Sequence, residues 1–396
     1  MTDTFPLFAA CQPGLEPFLI EELSRLYVEA EAVPGGATFT GNMQTVKRAC
    51  LWLGTASHVR IRLAQFRCRA LGELQRKAVE IPWRDWLVAP VPVALTSRSR
   101  RSRVYHTGGI SERVYNAIGG AFGRPPMMAR DQDEIVANVA IRFDEDVCTI
   151  SLDATTTPLH RRGYRLDGRK APLREDIAHA LVLASNWSPD TAMLDPFCGS
   201  GTIAIEAAGL AMGLAPGRLR PPALQQTARF DMDAWQEVLA EGTPRDPLAP
   251  IAASDRDQGA VEATRNNAKR AGVQQAIQCD AHALAAQPWL EGKDAPATGT
   301  LITNPPYGVR IQNNSNLLPL YQTLGHRIKA LGDGWNAMIL AHDMRLARRT
   351  GLPLQKAFTT KHGGLSVTAM GSAPSAKRSD ADAPTEKAPN NANDES

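Results

Sequence analysis

Hydrophobic and polar positions follow two different patterns along this chain. In the first 155 residues, helical spacing, as at Phe18, Leu19, Leu23 and Leu26, is mixed with alternating, strand-like runs such as residues 59–64. A mixture of this kind predicts an α+β unit. From residue 192 onward, short apolar runs alternate with helical patterns, which is typical of a parallel α/β sheet. The runs that predict its strands cover residues 192–195, 251–255, 276–280, 300–303 and 335–340.

These patterns divide the chain into five predicted segments. Residues 1–65 and 66–155 form two α+β parts, and residues 156–172 form a basic linker. Residues 173–370 form the α/β domain, with a Pro- and Arg-rich insertion at 213–248. Residues 371–396 contain almost no apolar side chains, and this composition predicts a disordered tail. The length of 396 residues agrees with more than one domain, because it exceeds what one ordinary core accommodates.

Composition narrows the class of protein further. No apolar run is long enough to span a bilayer, and the start of the chain lacks the pattern of a secretory signal. The six cysteines form no Cys-x-x-Cys pair, which disfavours a zinc ribbon or a disulfide framework and indicates reduced thiols in a cytoplasm. His160, His179 and His282 lack metal-ligand spacing, so we expect no metal and assign these histidines no chemistry.

The net charge of +3 says little about partners, but the basic residues are clustered. The first cluster contains Arg98, Arg100, Arg101 and Arg103, with serines between the arginines and Tyr105 after them. Arginine and hydroxyl groups both donate hydrogen bonds to phosphate oxygens, so this cluster is a candidate nucleic-acid contact. The alternative is a solvated connection between a strand and a helix. The second cluster, in the linker, contains Arg161 and Arg162 and ends at residues 168–170.

Polar side chains follow the predicted strands of the α/β domain, where ligands bind in open sheets. The first strand leads into Asp195-Pro196-Phe197-Cys198-Gly199-Ser200-Gly201, whose glycines let the backbone approach a ligand. Asp255, at the end of the second strand, is placed to accept hydrogen bonds from ribose hydroxyls; Asp257 is an alternative, although helix capping suits it better. Asp280, at the end of the third strand, is placed to accept an adenine amino group. Two acids and no basic residue for phosphates predict a nucleoside without a phosphate chain.

The fourth strand ends in the stiff loop Asn304-Pro305-Pro306-Tyr307-Gly308. Each proline fixes its own φ and restricts the residue before it. The loop presents an amide, free carbonyls and an aromatic ring, which suit a planar group that carries an NH2. Pro-Pro-Tyr alone also allows the alternative interpretation, a proline-rich turn without a chemical role. The acids at the preceding strand ends favour the ligand-binding interpretation.

These motifs resemble those of a known family. The stretch from Asp195 to Thr202 resembles the glycine-rich motif of class I S-adenosylmethionine-dependent methyltransferases, and Asn304-Pro305-Pro306-Tyr307 resembles the motif of those that methylate exocyclic amines of bases. The N-terminal part, with Ser102-Arg103-Val104-Tyr105-His106-Thr107 before a helix, resembles a THUMP RNA-binding domain behind a ferredoxin-like part. Residues 159–165 and 171–175 are similar to the bacterial N2-guanine methyltransferases of large-subunit ribosomal RNA, in a form with one catalytic domain.

The resemblance implies a fold and a reaction. The implied fold is a Rossmann-like class I methyltransferase domain preceded by an α+β THUMP-type RNA-binding domain. The implied reaction is methyl transfer from S-adenosyl-L-methionine to the N2 amine of a guanine, preferably in large-subunit ribosomal RNA. Alternatives are a transfer RNA guanine, the N6 amine of adenine in RNA or DNA, and an RNA-binding protein without catalysis. Cys198 is interpreted as a small packing residue in a tight turn.

The resemblance also assigns roles to individual residues. The implied cofactor residues are Asp195, Phe197, Gly199, Gly201, Asp255 and Asp280. The implied contacts of the target base are Asn304, Pro305 and Tyr307. The expected RNA contacts are Arg98, Arg100, Arg101, Arg103, Tyr105, Arg161 and Arg162.

Overall fold

The computed structural model of the protein describes residues 3–166, 172–307 and 317–372. The linker positions 168–170, Gly308 and the predicted tail from residue 373 onward lie outside the described residues. Within the described part, the chain forms two seven-stranded sheets. No helix of this part is long and apolar enough to cross a membrane.

The N-terminal sheet has the strand order β2-β3-β1-β4-β7-β6-β5. Neighbouring strands are antiparallel except for β5 and β6, which are parallel. The strands are β1 (Phe5–Cys11), β2 (Ala30–Val33), β3 (Gly36–Gly41), β4 (Ala56–Arg67), β5 (Val93–Arg100), β6 (Ala137–Asp144) and β7 (Val147–Asp153). The helices of this half are α1 (Glu16–Arg25), α2 (Met43–Trp52), α3 (Leu71–Val79) and α4 (Thr107–Phe122).

Strand β4 joins the two parts that the sequence pattern separates at residue 65. It pairs with β1 on one side and with β7 on the other. The division therefore falls inside one strand, and the two parts share a single sheet. Pairing between strands that are distant in the chain decides this point, and a local pattern does not reveal such pairing.

The second sheet has the strand order β10-β9-β8-β11-β12-β14-β13. Strands β8 to β12 are parallel, whereas β14 is antiparallel to both of its neighbours. The strands are β8 (Ala192–Asp195), β9 (Ile251–Asp255), β10 (Ile277–Ala281), β11 (Gly299–Thr303), β12 (Trp335–Ala341), β13 (Leu354–His362) and β14 (Leu365–Ser372). The helices are α5 (Glu175–Ala184), α6 (Thr202–Ala211), α7 (Met232–Ala240), α8 (Gln258–Ala271), α9 (Leu318–Ala330) and α10 (Met344–Arg349).

Two features of this sheet bear on the predictions. All five predicted parallel strands are present, and β14 extends two residues into the segment predicted as a tail. The chain runs from β8 outward to β10, and then returns to the other side of β8 with β11 and β12. The strand order therefore reverses between β8 and β11, and such a reversal creates a crevice at the carboxyl ends of the strands.

One hydrophobic core connects the two halves of the molecule. It runs from the N-terminal half, with Leu19 on α1 and Leu53 after α2, through α5 and α6, with Leu181 and Ile203, to one face of the second sheet. A separate cluster around Leu301, Leu324 and Trp335 belongs to the second sheet. The shared core ties the position of the N-terminal sheet to that of this crevice.

The insertion at 213–248 lies against the N-terminal half. Gly217 N donates to Leu51 O at 2.8 Å, and Leu224 N donates to Ala154 O at 2.7 Å. Helix α7, which lies within the insertion, packs against α2. Backbone groups must find partners wherever they are buried, and here the N-terminal half supplies them. The insertion therefore acts as a strap between the two halves.

Candidate active site

A cavity of about 930 Å³ opens at the carboxyl ends of β8, β9 and β11. It lies where the strand order of the second sheet reverses. The β8–α6 loop forms one wall, the β11 loop forms another, and the start of α9 lines the far side. The side chains that line it include Leu173, Asp195, Phe197, Asp255, Arg256, Asp257, His282, Leu284, Asn304, Tyr307, Leu320 and Thr323.

The β8–α6 loop brings backbone to the cavity wall. Gly199 has φ +57 and lines the cavity, and its N donates to Asp255 Oδ2 at 3.1 Å. Gly201 has φ +83, and a Cβ there would lie 2.6 Å from Thr264 Cγ2. Positive φ favours glycine at both positions. Gly201 is not part of the cavity wall, so its role is to shape the turn into α6.

Asp195 is 1% exposed and lies at the floor of the cavity. Thr303 Oγ1 donates to Asp195 Oδ1 at 2.6 Å, and Phe197 N donates to the same oxygen at 3.2 Å. Burial raises the pKa of Asp195 to about 7, the charge of Asp255 adds to the rise, and the two hydrogen bonds oppose it. The carboxyl therefore titrates near neutral pH.

Asp255 and Asp257 were both candidates for the ribose contact, and the structure gives them different surroundings. Asp255 lies on the cavity wall, and its Oδ1 accepts a hydrogen bond from Asp257 N at 3.0 Å. Asp257 caps α8, accepting from Gly259 N at 2.8 Å and from Ala260 N at 3.3 Å. Asp257 also borders the cavity, but capping is the role that its hydrogen bonds support.

Asp280, which was expected to accept the adenine amino group, is not part of the cavity wall in this structure. Asp280 is exposed, lies outside the cavity wall, and accepts a hydrogen bond from Arg265 Nη2 at 2.9 Å. The reason is the phase of the strand. Asp255 is in register with Ala281, whereas Asp280 is in register with Ser254, and successive side chains of a strand point to opposite faces. On the β10 side, His282, Ala283 and Leu284 line the cavity instead.

The β11 loop presents an unpaired acceptor. Asn304, Pro305 and Tyr307 all line the cavity. Asn304 Oδ1 is buried, and within the described part of the chain it has no hydrogen-bond partner. Tyr321 Oη donates to Pro306 O at 3.4 Å, which holds the loop to α9. Buried polar atoms are rarely left without a partner, so Asn304 Oδ1 marks the position of a missing donor.

Two protein-family models match this chain. Residues 162–370 match the family model described as "RMKL-like, methyltransferase domain". The chain belongs to this family. Residues 6–60 match the model described as "RlmL ferredoxin-like domain", in agreement with the α+β part at the N-terminus. The predicted resemblance and the predicted fold class are therefore confirmed.

Individual relatives agree with the assignment to the RMKL-like family. "Ribosomal RNA large subunit methyltransferase K/L" of Syntrophotalea carbinolica is 33% identical over 378 residues, which are 90% of this chain and 52% of that protein. "Putative RNA methyltransferase slr0064" of Synechocystis is 31% identical and covers 93% of this chain and 96% of that protein. The crystal structure of SMU.472, "a putative methyltransferase complexed with SAH", has a TM-score of 0.82 at 28% identity, covering 94% of this chain and 98% of that chain. The chain spans about half the length of the K/L relatives.

The first arginine cluster lies on the surface of the N-terminal sheet of this family member. Arg98, Arg100, Arg101 and Arg103 are exposed, and Tyr105 is 78% exposed. Strand β5 continues through Arg100, so the cluster begins on the outermost strand of the sheet. Arg100 pairs with Asp144 at 3.2 Å and Arg101 with Glu145 at 3.4 Å, so the β6–β7 turn neutralises part of the cluster. Arg98 has no ion pair within the described residues.

The assignment of Arg162 as an RNA contact is wrong. Arg162 is 2% exposed, and its guanidinium donates to Leu159 O at 2.7 Å and to Gly54 O at 2.5 Å. It also pairs with Glu206 at 3.3 Å. A buried guanidinium with these partners is not available to a phosphate. The neighbouring Arg161 is exposed, so of these two adjacent arginines only Arg161 is accessible to RNA.

Arg162 belongs to a buried charge network between the two halves. His179 on α5 lies between Glu22 on α1, with Nε2 at 3.2 Å, and Glu206 on α6, with Nδ1 at 2.9 Å. Glu22 also accepts hydrogen bonds from the backbone and hydroxyl of Thr55. Burial alone would lower the pKa of His179, but the hydrogen bonds and charges of Glu206 and Glu22 outweigh it and raise this pKa to about 9. His179 is therefore a cation at neutral pH.

Two cavity residues, and a third residue that contacts the cavity wall, were not assigned from the sequence. His282 and Arg256 line the cavity, so basic side chains stand beside the acids of this wall. His342 follows β12 directly, and its ring lies against that of Tyr307 with 5.7 Å between centroids. The rule that ligand-binding residues follow the parallel strands would have pointed to His342.

Proposed function

We propose that this protein transfers a methyl group from S-adenosyl-L-methionine to the exocyclic N2 amine of a guanine in large-subunit ribosomal RNA. The observation that carries the proposal is the buried acceptor Asn304 Oδ1, which no described residue pairs with, on the wall of a cavity that also contains Asp195 and Asp255. The names of the K/L relatives support ribosomal RNA as the substrate. The SAH-bound neighbour supports the cofactor.

The cavity residues fit the cofactor. Asp255 offers carboxylate oxygens to ribose hydroxyls, and Gly199 leaves space for the ligand beside the backbone. Among the described residues of the wall, the acids outnumber the one arginine, Arg256, which suits a ligand with cationic groups and no phosphates. His282, Ala283 and Leu284 form the wall on which we place the adenine. The bound cofactor supplies an electrophilic methyl group.

The β11 loop would orient the target amine. Asn304 Oδ1 and the Pro305 carbonyl accept the two hydrogens of the amino group, which orients the nitrogen and favours a pyramidal geometry. A pyramidal nitrogen has its lone pair free of the ring conjugation, and this lone pair would take the methyl group as the bond from the methyl carbon to sulfur breaks, with the surplus amine proton leaving to water. Fixed acceptors that act on the developing charge contribute without reorganisation. A paired base must first leave the helix, at a cost of about a few kcal/mol, so RNA held open by the N-terminal half is the preferred substrate.

The test is Asn304→Ala. We expect single-turnover methylation of large-subunit ribosomal RNA to fall by about 10²- to 10³-fold, because one acceptor of the reacting amine is lost. Cofactor affinity, measured by calorimetry, should stay within about twofold. The matched control is Asn266→Ala, at an exposed position of α8 outside the cavity wall, which should behave as wild type.

Three outcomes would contradict parts of the proposal. Unchanged turnover of Asn304→Ala would disprove the proposed role of the β11 loop in orienting the target amine. Mass spectrometry that found N6-methyladenosine in the product, or methylation of transfer RNA only, would replace the substrate. Absence of S-adenosylmethionine binding would leave an RNA-binding protein without catalysis. We also propose a cytoplasmic location, because ribosomal RNA is modified there and the six cysteines are free thiols.

A further inference from the structure

His342 lies beside the loop that we assign to the target base. Strands β11 and β12 are parallel neighbours, with Thr303 in register with Ile339. The loop of Tyr307 and the residue after β12 therefore leave the sheet at the same edge. His342 is half-buried, and its ring is tilted by 49° against the Tyr307 ring.

A hydrogen bond anchors the imidazole on its other side. His342 Nδ1 lies 2.8 Å from Ser366 O. A carbonyl oxygen only accepts hydrogen bonds, so Nδ1 must be the donor. Ser366 is part of β14, which pairs with β12 through Ala341 and Thr368. The imidazole is thus fixed to the rigid sheet and not to a mobile loop.

The contacts form a continuous path from the sheet to the cavity. The backbone of β14 fixes His342, the ring of His342 packs on Tyr307, and Tyr307 is 3% exposed and lines the cavity. Packing of this kind is how a side chain that does not react holds one that does within the productive geometry. Misplacement by about 1 Å is enough to cost about 10²-fold in rate.

We propose that His342 is a positioning residue for methyl transfer: anchored to Ser366 O, it sets the plane of the Tyr307 ring against which the target base is received. The inference rests on the proposed function of the β11 loop. His342 acts through Tyr307, so its loss affects turnover of bound RNA and leaves the cofactor end of the cavity unchanged.

Three substitutions separate the two contacts of the ring. His342→Phe keeps an aromatic ring against Tyr307 but cannot donate to Ser366 O. His342→Asn keeps a donor and loses the ring. His342→Ala loses both, and for this variant we expect kcat to fall by about 10- to 100-fold with cofactor affinity within about twofold of wild type. His342→Phe should recover part of the activity lost in His342→Ala.

A spectroscopic measurement tests the packing without any substrate. The chain contains six tyrosines, so protein labelled with 3-fluorotyrosine gives few fluorine resonances, and Tyr307→Phe identifies that of Tyr307. We expect His342→Ala to shift the Tyr307 resonance. The control His326→Ala, at an exposed position of α9, should leave it in place.

The outcomes distinguish this inference from the function on which it rests. An unshifted Tyr307 resonance in His342→Ala, or a loss of kcat matched by an equal loss of cofactor affinity, would overturn the positioning role. If wild-type protein methylated no RNA, the proposed function would fail, and the fluorine spectrum would still decide whether His342 sets the Tyr307 ring.

Discussion

The buried network around His179 gives the sharpest prediction about stability. Replacing His179 with glutamine removes the cation between Glu22 and Glu206, which then face each other across the junction of the two halves. The substitution leaves the side chains of the cavity wall unchanged. We expect a large loss in the free energy of unfolding, because two buried carboxylates lose their common partner.

Two independent arguments give similar magnitudes for this loss. Removing one member of a buried ion pair costs about 3–5 kcal/mol. The rise of the His179 pKa from 6.5 to about 9 corresponds to about 3 kcal/mol, at roughly 1.4 kcal/mol for each pKa unit. Both values are a substantial fraction of the stability of an ordinary domain.

The pKa of His179 also predicts a pH dependence. Below pH 6.5 the histidine is protonated in both the folded and the unfolded state, so its contribution is complete. Between 6.5 and about 9 the folded protein keeps a proton that the unfolded chain has lost, so stability falls as pH rises. Asp195, whose pKa is raised to about 7, also makes stability fall as pH rises, but only at pH values below about 7. The buried thiols of Cys11 and Cys50 also have pKa values raised from 9.0 to about 12, so wild type and variant alike lose stability as the unfolded thiols ionise near the upper end of the window from pH 7 to 9.5. The difference in stability between wild type and His179→Gln isolates His179, and it should shrink by about 2 kcal/mol between pH 7 and 9.5.

The assay is urea unfolding at fixed pH, followed by circular dichroism. His179→Gln should be less stable than wild type at pH 7 by about 3 kcal/mol, and this difference should shrink as pH rises to 9.5. His326→Gln, at an exposed position of α9, should lie within about 0.5 kcal/mol of wild type at each pH. A loss below about 1 kcal/mol, or a pH slope identical to that of wild type, would refute the reasoning.

Two further predictions concern the ligands. Arg98→Ala should weaken RNA binding and lower the slope of log affinity against log salt concentration by about one. Arg101→Ala should weaken binding less, because Glu145 already pairs with this arginine at 3.4 Å. Equal effects of the two substitutions on salt-dependent binding would contradict this. Binding of S-adenosylmethionine should weaken as pH falls below about 7, because Asp195 is then protonated. Thr303→Val removes the hydrogen bond that stabilises the carboxylate, so it should move the midpoint of this change in affinity to higher pH. Calorimetry with the sulfonium cofactor and with its neutral product should show the difference, and identical pH profiles for the two would disprove it.

The sequence by itself determined the order of elements and most of the cavity wall. Each of the five parallel strands of the second sheet carries a local apolar run, and cavity residues end or follow such runs, so Asp195, Asp255 and Asn304 are found from neighbours in the chain. The family motifs are equally local. His342 obeys the same rule, and its position after β12 was available to the same reasoning.

Only the tertiary structure decided which way several of these side chains point and what they meet. A shift of one residue in strand phase turns Asp280 from the cavity to Arg265. Arg161 and Arg162 are adjacent and equally basic, yet only contact with Gly54 and Glu206, from distant parts of the chain, buries one of them. Strand pairing through β4 and docking of the 213–248 strap are likewise long-range. Local patterns encode what each segment can form, whereas burial and charge pairing depend on partners that only the folded chain brings together.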